Sequence, residues 1–382
     1  MTASEPHVCF VVTSDMTAGT FLHGYVAEMR RRKIAVTVVS SPGPGLRGLH
    51  KDVRTYGIPM RREPSPAADL VALFRLAWLF ARIRPDVVVY ATPKASLLSS
   101  IAAAVVGVRV RIYELWGLRM ETASGPYRGV LATLERTTNR FSTATIANSG
   151  SLADRAVQLR VANRRPVVLG AGSSHGVDID RFSPHASRPE LDAGTRRFLA
   201  ETDGFVLGFV GRLHPDKGVD VLLDAVKLCR KQGHRVRALL VGGDEGAELP
   251  DVSDLPVHVV GHVEDTRPYL AEMETIVLMT LREGFPNVIL EAAAMQIPAV
   301  VSDSTGAIDS VADSETGFIV PVGDARALSR RIVELMSDSR LRSSMSENAR
   351  IRASSQFSSS DICGLHVDFY VERASTRRSV RG

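Results

Sequence analysis

The chain has 382 residues, of which 45% are hydrophobic and 23% charged, and its formal net charge is +5. This length is typical of two domains rather than one, and the composition is that of an ordinary globular protein. The three cysteines, Cys9, Cys229 and Cys363, are far apart and offer no metal-ligand spacing. They favour small buried side chains in a reducing compartment.

The termini and apolar runs bear on targeting. The chain begins MTASEPH, without the basic segment that opens a signal peptide. The longest apolar run, residues 97–108, falls short of the ~20 residues that span a bilayer. We therefore expect a cytoplasmic protein.

In the first part of the chain, short apolar runs alternate with helical patterns. Residues 8–13, 34–40 and 87–92 are predicted strands, and residues 69–83 carry apolar side chains at helical spacing. Continuous apolar strands separated by helices predict right-handed βαβ units and a parallel sheet.

A segment rich in Gly, Ser and Pro, residues 170–189, is the predicted connection between two domains. The fold class is α/β, with two doubly wound parallel-sheet domains over residues 1–170 and 171–360. A closing helix at 361–373 is expected to pack back on the first domain, and a basic tail follows it. The predicted strands of the second domain are 206–211, 237–243, 257–262, 275–280, 298–303 and 317–322.

Charge is unevenly distributed between the two parts. Residues 1–170 hold 23 Lys and Arg against 11 Asp and Glu, a net charge of +12, and the remainder holds 24 against 31, a net charge of −7. The first part is therefore predicted to meet an anionic partner, such as a phosphate-bearing acceptor, a membrane surface or a nucleic acid. A solvated basic surface without a partner is the alternative.

One candidate site lies at residues 209–226, FVGRLHPDKGVDVLLDAV. A strand ends at Gly211, Arg212 and Lys217 follow, and a helix begins near Gly218. Free N–H groups at the helix N-terminus, a guanidinium and an ammonium together suit a diphosphate. A surface turn with two solvated cations fits the same pattern.

A second candidate site lies at residues 281–303. Glu283 precedes a Gly-Phe-Pro turn, and Glu291 lies one turn into the following helix. Both follow a parallel strand, at the edge where open α/β sheets bind ligands. A carboxylate there can accept two hydroxyl hydrogen bonds from a sugar or ribose. By spacing alone, two ordinary surface glutamates would look the same.

Three loops of the first domain also follow strands. Gly19 precedes a helix, and Lys94, Trp116 and Arg119 are predicted to form a mixed cationic and aromatic wall, together with Glu114. Cations suit phosphate and an aromatic face suits sugar C–H groups. A plain βα loop and a solvated lysine are the alternatives.

Several other chemistries find no support in the sequence. Asp178 and Asp180 have the DxD spacing of some metal sites, but a structural turn without metal is the favoured interpretation. GKS/T and HExxH motifs do not occur, which argues against the common P-loop NTPases and zinc proteases.

With these residues in view, the chain resembles the retaining glycosyltransferases of family 4, which have the GT-B fold of two Rossmann-like domains facing across a cleft. The GR…KG and EGFPNVILEA segments look like the two donor-site motifs of that family, the latter its E-x7-E signature. Segments 58–70, 91–113, 117–122 and 170–182 look like the bacterial branch that builds surface polysaccharides and lipid-linked glycans.

The resemblance implies a role for each donor-site residue. Arg212 and Lys217 would neutralise the diphosphate, Glu283 would contact the transferred sugar and Glu291 the ribose. Backbone near residues 261–265 would meet the base. No protein nucleophile and no metal would be needed, and a UDP- or GDP-sugar would be the co-substrate. The turn that would approach the sugar or phosphate comprises Gly284, Phe285, Pro286, Asn287 and Val288.

The chain departs from the family on the acceptor side. Many members place a histidine against the transferred sugar, whereas Trp116 occupies the loop where we look for it, and His7, His23 and His50 are poorly placed. The branch implies a polyprenyl-diphosphate-linked acceptor at the inner membrane face. The basic residues 30–33 and 61–62 would attract anionic lipid there, which gives peripheral binding.

Other functions stay open at this point. The acceptor could be a soluble small molecule, or the chain could be a nucleotide-sugar epimerase of the same fold. A nucleic-acid-binding protein is disfavoured, because the basic stretches lack interleaved aromatics.

Overall fold

The computed structural model describes residues 6–49, 53–61, 63–244 and 252–376. Two residues considered in the sequence analysis, His50 and Arg62, lie outside the described residues. The end of the basic tail also lies outside them. The chain divides into two compact units: unit 1 comprises Met1–Gly176 and Ser359–Gly382, and unit 2 comprises Val177–Ser358.

Unit 1 is built on a six-stranded parallel sheet of order β3-β2-β1-β4-β5-β6. Its strands are β1 (His7–Val11), β2 (Ala35–Ser40), β3 (Arg54–Gly57), β4 (Val87–Tyr90), β5 (Val110–Leu115) and β6 (Ala144–Ala147). Its helices are α1 (Asp15–Phe21), α2 (His23–Arg31), α3 (Pro44–Arg47), α4 (Pro66–Ile83), α5 (Pro93–Val105), α6 (Gly125–Phe141), α7 (Gly150–Gln158) and, from the end of the chain, α14 (Ser359–Thr376).

The helices of unit 1 form two cores, one on each face of the sheet. Leu76 of α4, Leu98 of α5 and Ala132 of α6 share one core. Tyr25 of α2 and Val367 of α14 belong to the other. This division follows from the strand order, because the crossover after β3 carries the chain to the opposite side of β1.

Unit 2 repeats this topology, with the order β12-β11-β10-β7-β8-β9 and all pairs parallel. Its strands are β7 (Phe205–Val210), β8 (Val236–Val241), β9 (Val257–Gly261), β10 (Thr275–Leu278), β11 (Ala299–Ser302) and β12 (Gly317–Val320). Its helices are α8 (Ala193–Glu201), α9 (Val219–Lys231), α10 (Arg267–Leu270), α11 (Asn287–Ala294), α12 (Ala325–Ser337) and α13 (Ser339–Gln356).

The predicted fold class of two doubly wound parallel sheets is confirmed. Helix α14 extends beyond the predicted 361–373 at both ends and buries Cys363, Val367 and Tyr370 in unit 1. Full burial of such side chains stabilises a fold by about 1.5–3 kcal/mol each. Among the described residues, no helix has the length and apolarity that crossing a bilayer requires.

Candidate functional site

The loop after β7 is held against the loop after β10. Gly218, the residue before α9, has φ +67°, and a Cβ added to it would lie 2.0 Å from the carbonyl oxygen of Met279. The carbonyl of Asp216 accepts hydrogen bonds from the Leu281 amide at 2.8 Å and the Thr280 hydroxyl at 3.0 Å. Glycine is therefore required where the two loops touch, and this contact brings both donor-site motifs together.

An ion pair joins the two motifs at this edge of unit 2. Lys217 Nζ lies 2.6 Å from Glu283 Oε1, and the side chains are 15% and 17% exposed. An ammonium and a carboxylate held this close and largely shielded from water attract each other more strongly than an exposed pair. The pair therefore orients both side chains before any ligand arrives.

A second carboxylate, Asp216, lies among cations. His214 Nδ1 is 2.7 Å from its Oδ1, and Arg282 Nη2 and Arg212 Nη2 are 3.6 Å and 3.9 Å from its Oδ2. Burial acts to raise the pKa of Asp216, but the charge of Lys217 and the contacts with His214 and Arg212 outweigh it and hold the pKa below its usual value.

The balance of charge at this edge is positive. Arg212, Lys217 and Arg282 stand against Asp216 and Glu283, so three cations face two carboxylates. The Arg212 side chain is the most exposed of the three, at 38%. An exposed guanidinium in an excess of positive charge is suited to an anionic ligand such as a diphosphate.

The Gly-Phe-Pro turn is fixed by its surroundings. The Glu283 amide donates to the carbonyl of Thr305 at 2.8 Å, and Phe285 is buried, with its ring centroid 5.3 Å from that of Phe357. Helix α11 begins at Asn287, directly after Pro286. The N-terminal amides of α11 thus lie at the same edge as Lys217. Gly284 is buried in this turn, and Val288 is partly exposed.

Glu291 lies one turn into α11 in a setting that disfavours its charge. Burial raises its pKa to about 7, while Arg181 acts to lower the pKa and Asp265 to raise it. Asp265 is itself bound by Arg267, whose Nη2 is 2.6 Å from Oδ2. A carboxyl group with a pKa near neutral pH occurs in both protonation states. It can therefore accept hydrogen bonds from hydroxyls and also donate hydrogen bonds to them.

In unit 1, the predicted acceptor-side residues fall into separate environments. Lys94 Nζ lies 2.7 Å from Asp69 Oδ1 at the start of α4. Trp116 stacks on Phe21, with ring centroids 5.1 Å apart, whereas Arg119 is exposed in a short 3-10 helix. Gly19 lies within α1 and not in a loop that precedes a helix, so that prediction is wrong; an added Cβ there would be 3.1 Å from the Cα of Gly45.

Glu114 does not join an open wall with Trp116 as predicted, and this prediction is wrong. Its side chain is 2% exposed and accepts a hydrogen bond from Tyr370. His366 Nδ1 lies 3.0 Å from Oε1, and Trp116 Nε1 donates to Oε2 at 3.4 Å. Burial of a carboxyl group requires such partners, so Glu114 ties β5 to α14 in the core of unit 1.

Sequence reasoning missed several residues at these edges. It passed over Asp216 and Arg282, although both lie inside the quoted motifs. It also missed His175, whose ring makes an edge contact with Phe21 at 4.9 Å, one ring away from Trp116. Burial, aided by the neighbouring His366, lowers the pKa of His175 to about 4.

The DxD segment is held by its own backbone amides. Asp178 Oδ1 accepts hydrogen bonds from the amides of Asp180 and Arg181, at 3.2 Å and 2.9 Å, which makes this DxD segment a structural turn. In the described part of the chain, no group of three His, Cys, Asp or Glu side chains is arranged to hold a metal ion.

Comparison with known proteins matches both units to glycosyltransferase families. The family described as "Glycosyl transferase 4-like domain" matches residues 17–172, and "Glycosyl transferases group 1" matches residues 204–338. The capsular polysaccharide biosynthesis glycosyltransferase CapM of Staphylococcus aureus is 34% identical over 346 residues, which cover 88% of this chain and 90% of that protein.

Two further relatives are more distant. An Escherichia coli UDP-Gal:alpha-D-GlcNAc-diphosphoundecaprenol alpha-1,3-galactosyltransferase is 24% identical and is matched over 88% of this chain and 89% of its own length. The crystal structure of Anabaena HepE in complex with UDP-glucose superposes with a TM-score of 0.76 at 22% identity, covering 98% of this chain and all of the other.

The protein is thus an enzyme of the glycosyltransferase class with the GT-B fold of two Rossmann-like domains. The chain belongs to glycosyltransferase family 4, in the branch that contains surface-polysaccharide enzymes such as CapM, and is a hexosyltransferase.

Proposed function

We propose that this enzyme transfers a hexose, with retention of anomeric configuration, from a UDP- or GDP-sugar to a polyprenyl-diphosphate-linked glycan in cell-surface polysaccharide biosynthesis. The observation that carries the proposal is the ion pair between Lys217 and Glu283, 2.6 Å apart at the carboxyl edge of the unit 2 sheet. It supports the proposal because an ammonium, which suits phosphate, lies beside a carboxylate, which suits sugar hydroxyls.

The donor would be bound by unit 2. The exposed guanidinium of Arg212 and the ammonium of Lys217 would hold the diphosphate, helped by the amides at the start of α9 and α11. Glu283 would accept hydrogen bonds from the transferred sugar, and Glu291 would contact the ribose hydroxyls. The crystal structure of HepE in complex with UDP-glucose supports a nucleotide-sugar donor.

In the transfer step, the bond between the anomeric carbon and the diphosphate oxygen breaks, and the acceptor oxygen forms its bond on the same face. The acceptor's proton passes to a donor phosphate oxygen. Arg212 and Lys217 would stabilise the charge that develops on the leaving diphosphate, the task that a divalent cation performs elsewhere. We therefore propose that the reaction needs no metal and no protein nucleophile.

The acceptor would be bound by unit 1, through Gly19, Lys94, Trp116 and Arg119. The name of the E. coli relative, with its diphosphoundecaprenol acceptor, supports a lipid-linked glycan, and that of CapM supports a role in polysaccharide biosynthesis. The net charge of +12 on residues 1–170 is the right sign for a diphosphate and for an anionic membrane. The enzyme would accordingly act as a peripheral protein at the inner membrane face.

The test is a thermal-shift panel of UDP-, GDP- and ADP-sugars, followed by transfer assays with a polyprenyl-diphosphate-sugar. A bound donor raises the unfolding temperature, and Lys217→Met should remove that shift. Lys227→Met is the matched control, because Lys227 lies on α9 with an exposed pair to Asp224. A shift that persists in Lys217→Met would refute the donor assignment, and the anomeric coupling constant of the product tests retention.

A further inference from the structure

Helices α4, α5 and α6 lie side by side on one face of the unit 1 sheet. They contribute to one core, and α5 packs between the other two. Their inner sides are buried in that core together with residues of β1, β4 and β5. Their outer sides therefore form one continuous surface of unit 1.

The outer side of α4 is apolar. Leu70, Phe74 and Trp78 follow one another at intervals of four residues and are 53%, 66% and 63% exposed. Side chains at this spacing lie on one stripe of a helix. Val71, next to the stripe, is 50% exposed. Such large apolar side chains in water are costly, and a contiguous group of them marks an interaction surface.

The same surface continues across α5 and α6. On α6, Tyr127, Val130 and Leu134 are 49%, 53% and 39% exposed at helical spacing. Between the two stripes, Leu97 and Ile101 of α5 are partly exposed. We call this surface the α4–α6 face; it comprises Leu70, Val71, Phe74, Trp78, Leu97, Ile101, Tyr127, Val130 and Leu134.

The exposed charges on helices α4 and α6 have one sign. Along α4 and α6, both fully described, the exposed charged side chains are all arginines: Arg75, Arg82, Arg128, Arg136 and Arg140. Arg82 lies over the Trp78 ring, 5.4 Å from its centroid. The acidic residues of these helices are engaged elsewhere, since Asp69 pairs with Lys94 and the buried Glu135 accepts a hydrogen bond from Tyr113.

One end of the α4–α6 face lies close to a proposed acceptor residue, Lys94. Helices α4 and α6 begin at the carboxyl edge of the sheet, because each follows a parallel strand. Asp69, one residue before the apolar stripe, is the ion-pair partner of Lys94. The end of the face that carries Leu70 and Tyr127 thus lies at the same sheet edge as Lys94.

The basic residues at 30–33 are less suited to a membrane. They end α2, which packs on the other face of the sheet with α14. Arg31 and Arg32 both bind Glu28, and Arg32 also pairs with Asp368. A flat surface cannot reach both faces of one sheet, so the two basic regions are alternatives.

We infer that the α4–α6 face lies on an anionic lipid bilayer. Phe74, Trp78 and the apolar side chains of α6 enter the boundary between headgroups and acyl chains, and Arg75, Arg82 and Arg128 bind lipid phosphates. Amphipathic helices with arginine beside tryptophan and phenylalanine bind membranes in this way. The inference rests on the proposed function in one respect: the lipid-linked acceptor of that proposal lies in the membrane that this face would contact.

The test is sedimentation with vesicles of phosphatidylcholine, with or without roughly one third phosphatidylglycerol. Phe74→Ser with Trp78→Ser should reduce binding to the anionic vesicles about tenfold or more. Ile351→Ser, at an equally exposed isoleucine of α13, is the matched control and should bind like the unaltered protein.

The electrostatic part is tested by Arg75→Glu with Arg82→Glu, which should lower binding by about tenfold or more, against Arg330→Glu on α12 as control. Binding unchanged in both double variants overturns the inference. The inference is also overturned if the unaltered protein self-associates in the absence of vesicles and the Phe74 and Trp78 double variant does not. The face would then join two copies of the chain.

A water-soluble, short-chain acceptor analogue separates this inference from the proposed function. Transfer to that analogue should proceed at an unchanged rate in all four variants, since none alters a proposed donor or acceptor residue. Vesicle binding without transfer to any polyprenyl acceptor would refute the proposed function while leaving the membrane face intact.

Discussion

Units 1 and 2 have the same strand order, yet the carboxyl edges of their sheets differ in kind. In unit 2, Gly218 packs against the carbonyl of Met279, and ion pairs, among them Lys217 with Glu283, connect the loops at this edge. In unit 1, the corresponding edge carries the stacked rings of Phe21 and Trp116 and an exposed Arg119, beside the ion pair of Lys94 with Asp69. One topology thus supports two chemistries, because the loops rather than the strands carry the side chains.

The strongest test of this contrast removes the cations of unit 2. Arg212→Ala and Lys217→Met should each lower kcat by about 10²–10³, since each would remove a charge that stabilises the leaving diphosphate. Unfolding temperature should change little for the exposed Arg212. Steady-state transfer assays check this, with Lys227→Met as the unaffected control. Rates within a few-fold of the unaltered enzyme would mean that this edge does not hold the diphosphate.

The glycine contact offers a matched pair of substitutions. Gly218→Ala should destabilise unit 2 by ~2–4 kcal/mol, through its φ of +67° and a clash with the Met279 carbonyl. Gly233→Ala, at φ +87° with no atom within 4 Å of the added Cβ, should cost only the ~1–2 kcal/mol of backbone strain. Urea unfolding measures both. Equal losses would show that the contact between the two loops is not restrictive.

Glu291 in unit 2 predicts a pH dependence of stability. Its pKa is about 7 in the folded protein against an ordinary 4.5, so between those values the folded state holds more protons than the unfolded state. Stability should therefore fall as pH rises through this window. Glu291→Gln removes the contribution of this residue to the decline. The stability of the variant relative to the unaltered protein should therefore increase by ~1–3 kcal/mol from pH 4.5 to above 7. If thermal melting gave the variant and the unaltered protein the same pH dependence of stability across that range, the burial assigned to Glu291 would be contradicted.

For unit 1, the buried network should matter to stability and not to donor binding. Tyr370→Phe removes one hydrogen bond to Glu114 and should cost ~1–2 kcal/mol. Tyr127→Phe, at a half-exposed tyrosine, should cost almost nothing. Calorimetry gives the stabilities, and the donor-induced thermal shift should be the same in both variants. A lost donor shift in Tyr370→Phe would contradict the separation of roles.

The smallest expected effect concerns metal. If Arg212 and Lys217 neutralise the diphosphate, treatment with EDTA should leave the transfer rate unchanged. A rate that EDTA abolishes and Mg²⁺ or Mn²⁺ restores would refute the metal-free proposal.

Much of the fold could be predicted from the sequence, because buried parallel strands are continuous apolar runs. All six strands of unit 2 match predicted runs within a few residues. In unit 1, β3 and β6 are not among the predicted strands, and β5 is implied only by the loop that follows it. The reason is visible in β3: RTYG is an edge strand whose residues are mostly exposed, so it lacks an apolar run.

The candidate sites were less predictable where partners are distant in sequence. The E-x7-E spacing located Glu291 but could not reveal its environment, which depends on Arg181 and Asp265 from other loops. Glu114 was misplaced because its partners, His366 and Tyr370, come from the last helix. The helical pattern of α4 indicated an amphipathic helix, but periodicity alone cannot show that Phe74 and Trp78 lie on its outer side.

Helix α14 has a consequence for biosynthesis. It completes the unit 1 core with side chains that are translated last, whereas unit 2 is a single continuous segment that ends before it. While unit 2 is synthesised on the ribosome, the earlier part of unit 1 therefore lacks α14, and Glu114 lacks its partners His366 and Tyr370. Premature termination just after Ser358 would release a chain whose second unit is complete and whose first unit, although almost fully translated, cannot close.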